Sequence, residues 1–122
     1  MLEVEENDGD VYFSSYLYLQ SGWPKSFNRK WVEIFENGKL KIRKELDTKV
    51  KITKNVKDAL SIEPIDTKIK GIKDRHVGKS FQIQFEKKTF IFLSESRSER
   101  DEWVTQCNNV IEGKKPQKEQ IN

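Results

Sequence analysis

Cysteine and histidine occur once each in the 122 residues, as Cys107 and His76. A lone thiol closes no internal disulfide, and one thiol with one imidazole cannot assemble a metal cage. Stability therefore has to come from packing, a reducing compartment is expected, and neither a metal nor a cofactor is anticipated. Long apolar runs are missing as well: residues 90–93 form one of the longest, against the roughly 20 that a bilayer span requires. No basic stretch followed by an apolar one opens the chain, and Leu2 stands where N-myristoylation needs glycine, so neither secretion nor that lipid anchor is expected. No glycine-rich phosphate loop is present, and no Ser or Cys stands in evident relation to a histidine and a carboxylate. An enzyme is not expected. A chain of this length supports one core and hence one domain.

Charge is abundant and unevenly placed. Hydrophobic residues make up 34% and charged residues 35% of the chain, with 23 Lys and Arg against 20 Asp and Glu. Residues 1–10 hold Glu3, Glu5, Glu6, Asp8 and Asp10 and no basic residue. Such a composition predicts a disordered acidic segment or a screen over a basic face. Between Trp23 and Lys57, eleven basic residues face four acidic ones. Fields of neighbouring charges add within a Debye length of about 8–10 Å, so this stretch suits an anionic partner unless it is only a solvated face.

Strands come first along the chain. Residues 11–20 carry Tyr12, Phe13, Tyr16, Leu17, Tyr18 and Leu19, a β-prone composition that ends in the turn residues Ser21, Gly22, Trp23 and Pro24. Residues 30–35 resume with Trp31, Val32 and Ile34, and Asn37-Gly38 marks a hairpin leading to Leu40 and Ile42. The period of two places Leu40 and Ile42 inward and Lys39, Lys41 and Arg43 outward. Residues 49–53 and 60–65 are further short strands, the second an edge because Pro64 cannot donate to a ladder. Residues 66–78 hold two glycines, four basic residues and His76, and predict a mobile loop. Phe81, Ile83 and Phe85 alternate with polar residues, Lys87 and Lys88 make a turn, and 90–93 returns. Seven strands at hairpin spacing result.

The period then changes. Ser96-x-x-Glu99 and Ser98-x-x-Asp101 both suit a helix start. Trp103, Val104, Cys107, Val110 and Ile111 follow on one helical stripe, and Gly113 ends it before a polar tail over 113–122. One amphipathic helix of this length would close one end of a curved antiparallel sheet. The expected architecture is mainly β: a seven-stranded antiparallel barrel or sandwich over 11–112, capped by a C-terminal helix. Trp103 and Trp31 are expected in its core, together with Cys107 as a small apolar residue.

The segment Ser15-Tyr16-Leu17-Tyr18-Leu19, the stretch Phe27-Asn28-Arg29-Lys30-Trp31-Val32-Glu33-Ile34, the strand with Phe81-Gln82-Ile83, and the helix bearing Trp103 after its Ser/Glu-rich cap resemble the pleckstrin homology family. That family opens on Gly-Tyr-Leu, carries Trp-Lys-x-Arg-Trp-Phe-x-Leu on its second strand and ends on a Trp-bearing helix. A weaker resemblance extends to acylated pleckstrin homology proteins that recognise phosphatidic acid. Membership implies a binding module for acidic phospholipids. Members that grip phosphoinositides place Lys at the end of the first strand and Lys-x-Arg on the second, whereas this chain has Leu19 with Gln20, and Asn28-Arg29-Lys30. The headgroup site that the resemblance implies is Lys25, Arg29, Lys30, Arg43 and Lys49 or Lys51, with Lys30 and Arg43 on a shared outward face. A simple acidic lipid, phosphatidic acid or a singly phosphorylated inositide, fits it better than one inositol phosphate isomer.

Trp23 stands between Gly22 and Pro24 and close to Lys25. An indole beside an ammonium at a loop tip has the composition of an interfacial anchor, the alternative being an indole folded over the barrel end. His76 could contact phosphate or sense pH, but a lone surface histidine is more often idle. The expected function is a monomeric membrane-targeting module, cytoplasmic and peripheral, which binds an acidic phospholipid membrane through a basic rim and an inserting Trp23. The alternative is a protein-recognition module that takes a peptide at a sheet edge or docks a small GTPase. Nucleic acid is not expected, because no aromatic platform for bases is evident.

Overall fold

A computed structural model describes residues 8–114 of the chain. Strands β1 (Val11–Ser21), β2 (Ser26–Phe35), β3 (Lys39–Arg43), β4 (Val50–Asn55), β5 (Ser61–Ile65), β6 (Ser80–Gln84) and β7 (Thr89–Leu93) precede helix α1 (Arg97–Ile111). All pairings are antiparallel and form one open sheet in the order β4-β3-β2-β1-β7-β6-β5. The sheet edges are β4 and β5, and the second carries Pro64 where an edge tolerates it.

Alternation assigns the faces. Leu17 and Leu19 of β1, Val32 and Ile34 of β2, and Leu40 and Ile42 of β3 are buried on the inner face. Phe81, Ile83, Phe90 and Phe92 supply the opposing wall. Burying each such side chain stabilises the fold by about 1.5–3 kcal/mol. Helix α1 lies against β5, β1 and β6. It enters the core through Trp103, which is fully buried, edge-to-face on Phe13 at 4.9 Å and stacked on Phe81 at 6.2 Å. The Trp103 indole N–H donates to Ser15 Oγ at 2.9 Å, so its polar atom is satisfied inside the core. Cys107 and Val110 are buried beside it, whereas Ile111 is 39% exposed and leaves the expected stripe.

Of the two possible helix caps, Ser96 is the one used: its Oγ accepts from the Glu99 amide at 3.0 Å, and Glu99 reaches back to the Glu95 amide at 3.0 Å. The helix ends at Gly113, whose φ of 74° is the left-handed turn that glycine adopts freely. Residues 115–122 of the expected tail lie outside the described residues.

Three expectations are corrected. Trp31 is not in the core. It is one residue from Val32, which faces inward, so it must face outward, where it meets Tyr16 edge-to-face at 4.8 Å and is only half-buried. Strand β2 begins at Ser26 instead of 30, because the ladder with β1 runs to Ser21↔Ser26 and leaves a tight tip at 22–25. The segment 66–78 packs instead of standing free, because Ile72 is 7% exposed and a 3-10 turn, Asp74–His76, shortens it. Residues 1–7 of the acidic segment lie outside the described residues, while Asp8 is buried against β3 by Lys39 at 3.1 Å and Lys41 at 2.6 Å.

Candidate phospholipid headgroup site

The β1–β2 register decides where the predicted site residues stand. Lys30 pairs with Leu17 and shares the inner-face parity of Val32 and Ile34, whereas Arg43 pairs with Trp31 and takes the outer face. The two therefore lie on opposite faces of the sheet, which corrects the expectation of a shared outward face. A period of two admits no other outcome once Val32 and Ile42 are both inside.

Arg29 and Arg43 already have anionic partners. The Arg29 guanidinium lies 3.5 Å from the centre of the Tyr16 ring and 3.8 Å from Glu45 Oε2. Arg43 Nε donates to Glu33 Oε1 at 2.9 Å and Nη1 donates to the Thr48 carbonyl at 2.8 Å. Tyr16 donates to Glu45 Oε2 at 3.1 Å, and Thr48 Oγ1 accepts from the Glu45 amide at 3.0 Å. The β3–β4 connection, which ends with Lys49, is thus drawn over the outer face by Tyr16, Arg29 and Arg43. Arg29, Arg43 and Lys49 gather around this one connection, and the two arginines spend their charge on carboxylates of the chain.

Lys25 and Trp23 stand elsewhere, at the tip of the β1–β2 hairpin. Trp23 is 83% exposed, so the indole does not fold over the barrel end. A cation of the β5–β6 connection stands over it: Lys70 Nζ lies 5.8 Å from the ring centre. Gln20 Nε2 donates to the Lys70 carbonyl at 2.8 Å, fastening the β5–β6 connection to the end of β1. Gly71 fits so closely that a Cβ there would lie 2.8 Å from the Lys25 carbonyl oxygen, at a φ of 89°. Lys25, Lys70 and Lys73 have no carboxylate partner among the described residues, while Lys68 is held by Asp74 at 2.6 Å. Burial first, and then the charges of Lys79, Arg75 and Lys73, hold His76 below its ordinary imidazole value. The neutral form that this favours gives the histidine no anion-binding charge of its own. Sequence reasoning missed Lys70; the four cations in 66–78 were the available signal.

These faces and loops belong to a β-sheet capped at one end by a helix, with the pleckstrin homology topology. No protein-family model matches the sequence, and no curated protein matches it. Solved structures do. The C-terminal pleckstrin homology domain of human pleckstrin superposes with a TM-score of 0.74 at 14% identity over 97% of this chain and 92% of that one. A crystal structure of the C-terminal domain of pleckstrin in complex with D-myo-Ins(1,2,3,5,6)P5 superposes at 0.68, with 11% identity over 84% of this chain and 97% of that one. The corresponding domain of human TBC1 domain family member 2 gives 0.66 at 12% identity, covering 98% of both chains. The chain has the pleckstrin homology fold.

Proposed function

We propose that this protein is a cytoplasmic membrane-targeting module which binds acidic phospholipids, phosphatidic acid above all, and inserts Trp23 at the bilayer interface. The observation that carries this reading is the hairpin tip, where an indole 83% exposed stands next to cations with no internal partner. An exposed indole on a soluble surface is costly, whereas at a lipid interface its apolar body and the adjacent ammonium groups are both accommodated. The pleckstrin neighbour in complex with an inositol phosphate supports phosphate recognition on this scaffold. Leu19 and Asn28 stand where tight phosphoinositide binders carry lysine, which favours a simpler phosphate ester. Each basic residue close to an anionic leaflet contributes about 1 kcal/mol, so a few of them give modest affinity and a second membrane signal is expected for stable residence.

Co-sedimentation with phosphatidylcholine vesicles carrying phosphatidic acid, phosphatidylserine or a phosphoinositide at matched surface charge tests this. Binding should fall steeply as ionic strength rises, and phosphatidic acid should at least equal the phosphoinositides. Trp23→Ala should weaken binding several-fold at unchanged salt dependence and unchanged thermal stability. Salt-insensitive binding to one soluble inositol phosphate, or no vesicle binding at all, would overturn the proposal.

A further inference from the structure

The β2–β3 hairpin carries an anion site that is filled from within the chain. Its occupant is the Asp8 carboxylate, 7% exposed. Asp8 Oδ1 accepts from Asn37 Nδ2 at 2.8 Å and lies 3.1 Å from Lys39 Nζ, while Oδ2 lies 2.6 Å from Lys41 Nζ. Each oxygen thus has its own donors, which is what a planar carboxylate requires. The Phe35 ring, 4.8 Å from the Lys41 ammonium, helps to hold that side chain in place. Lys57 lies alongside: a Cβ on Gly38 would come within 3.2 Å of its Cε. Its ammonium has no carboxylate partner among the described residues.

The segment that delivers Asp8 is fastened by polar contacts. Residues 8–10 read Asp-Gly-Asp and bring no apolar side chain to the core, Gly9 and Asp10 are exposed, and the Glu36 amide donates to the Asp10 carbonyl at 3.1 Å. Such contacts can be exchanged for those of another carboxylate, whereas a buried apolar side chain would have to be extracted. Protonation does not release the segment at ordinary pH, because the Asp8 carboxyl is held down to about 2. Once the segment is displaced, Asp8 and Asp10 leave with it, and three ammonium groups stand at a turn that Glu36 borders. This turn and Trp23 lie at opposite ends of β1, whose 11 residues span about 35 Å. A domain anchored on lipid through Trp23 would therefore present the turn to solvent.

We infer that Asn37, Lys39, Lys41 and Lys57 bind an acidic peptide segment of a protein partner, and that Asp8 is the internal ligand which this segment displaces. The inference goes beyond the proposed membrane function and concerns the other end of the domain. One carboxylate of the peptide takes the place of Asp8, and a second reaches Lys57, which Asp8 leaves unused. A ligand tethered by a short segment competes at an effective concentration on the order of millimolar. Asp8 therefore sets a threshold, which a peptide with several carboxylates passes and a lone carboxylate does not.

The probe is the blocked peptide Glu-Glu-Asn-Asp-Gly-Asp, the sequence of residues 5–10, with Gln-Gln-Asn-Asn-Gly-Asn as its uncharged counterpart. Both are titrated calorimetrically, without vesicles, into wild type, Asp8→Ala, and Asp8→Ala combined with either Lys41→Gln or Lys87→Gln. Lys87 is exposed in the β6–β7 turn and serves as the charge-matched control. Asp8→Ala should bind the acidic peptide about tenfold or more tighter than wild type, because the internal competitor is gone. Adding Lys41→Gln should remove most of that affinity, Lys87→Gln should leave it within about twofold, and the uncharged peptide should not bind. The side-chain amide resonances of Asn37 should shift as the acidic peptide is added. Thermal unfolding of each variant accompanies the titrations, and if Asp8→Ala fails to fold, Asp8→Asn, which keeps the shape of the side chain, carries the same comparisons. Equal affinity of wild type and the Asp8 variant, or equal losses from Lys41→Gln and Lys87→Gln, would overturn the inference. So would acetate that binds the Asp8 variant as tightly as the peptide does. None of these outcomes bears on vesicle binding, which is measured separately and can fail by itself.

Discussion

The Asp8 carboxylate accepts a 2.6 Å hydrogen bond from the Lys41 ammonium, 33 residues away on β3. Lys41 first, then Asn37, and more weakly Lys39, hold this carboxyl down to about 2 against an ordinary 3.8. A folded value below the unfolded one means stability that is fully present above the unfolded value and is lost as pH falls through the folded one. The urea midpoint of the wild type should therefore exceed that of Asp8→Asn at neutral pH, and the two should converge between about pH 4 and pH 2. A difference that stays constant down to pH 2 would show that Asp8 acts only through its shape.

Arg43 gives a prediction about stability and not about binding. Because Nε donates to Glu33 and Nη1 to the Thr48 carbonyl, Arg43→Ala should lower unfolding free energy by about 1–2 kcal/mol. Arg43→Glu should lower it further, since two carboxylates would then face each other. Vesicle affinity of the folded Arg43→Ala protein should stay within about twofold of wild type, the allowance for one surface charge that is already neutralised. A large loss of binding with no loss of stability would return Arg43 to the headgroup site.

The bond from the Trp103 indole to Ser15 Oγ joins the helix to β1 inside the core. Ser15→Ala leaves a buried N–H without a partner and should cost about 1–3 kcal/mol in chemical denaturation. The same change in a Trp103→Phe background should cost much less, because no donor is left to orphan. The double-mutant cycle isolates the bond from the packing lost with the indole.

The seven strands and the capped helix were legible because they depend on local periodicity, and the pleckstrin homology topology was legible through the resemblance of their motifs. Leu40-x-Ile42 and Phe81-x-Ile83-x-Phe85 alternate, the Trp103 stripe repeats with a helical period, and Asn37-Gly38, Pro64 and Gly113 punctuate them. Each of these signals is contained within a few residues, and the elements they mark were realised in the structure, with Phe85 just beyond β6 and Ile111 off the stripe. The outward face of Trp31 is legible too, because the inward parity of Val32 requires it whatever the hydrophobicity of an indole.

The site was not legible in the same way. Which cations are free is decided by partners distant in sequence: Glu33 takes Arg43, Glu45 lies beside Arg29, and Asp8 takes Lys41. Composition counts all of these charges alike, and only the fold shows which are already neutralised. The sequence by itself determined seven strands, one capped helix and a tryptophan at a hairpin tip, because turn chemistry and hydrophobic period act over a single turn or strand. Only the tertiary structure decided that Lys70 would stand over that tryptophan, 47 positions along the chain. That juxtaposition depends on the burial of Ile72 and the absence of a side chain at Gly71, and neither leaves a periodic trace in the sequence.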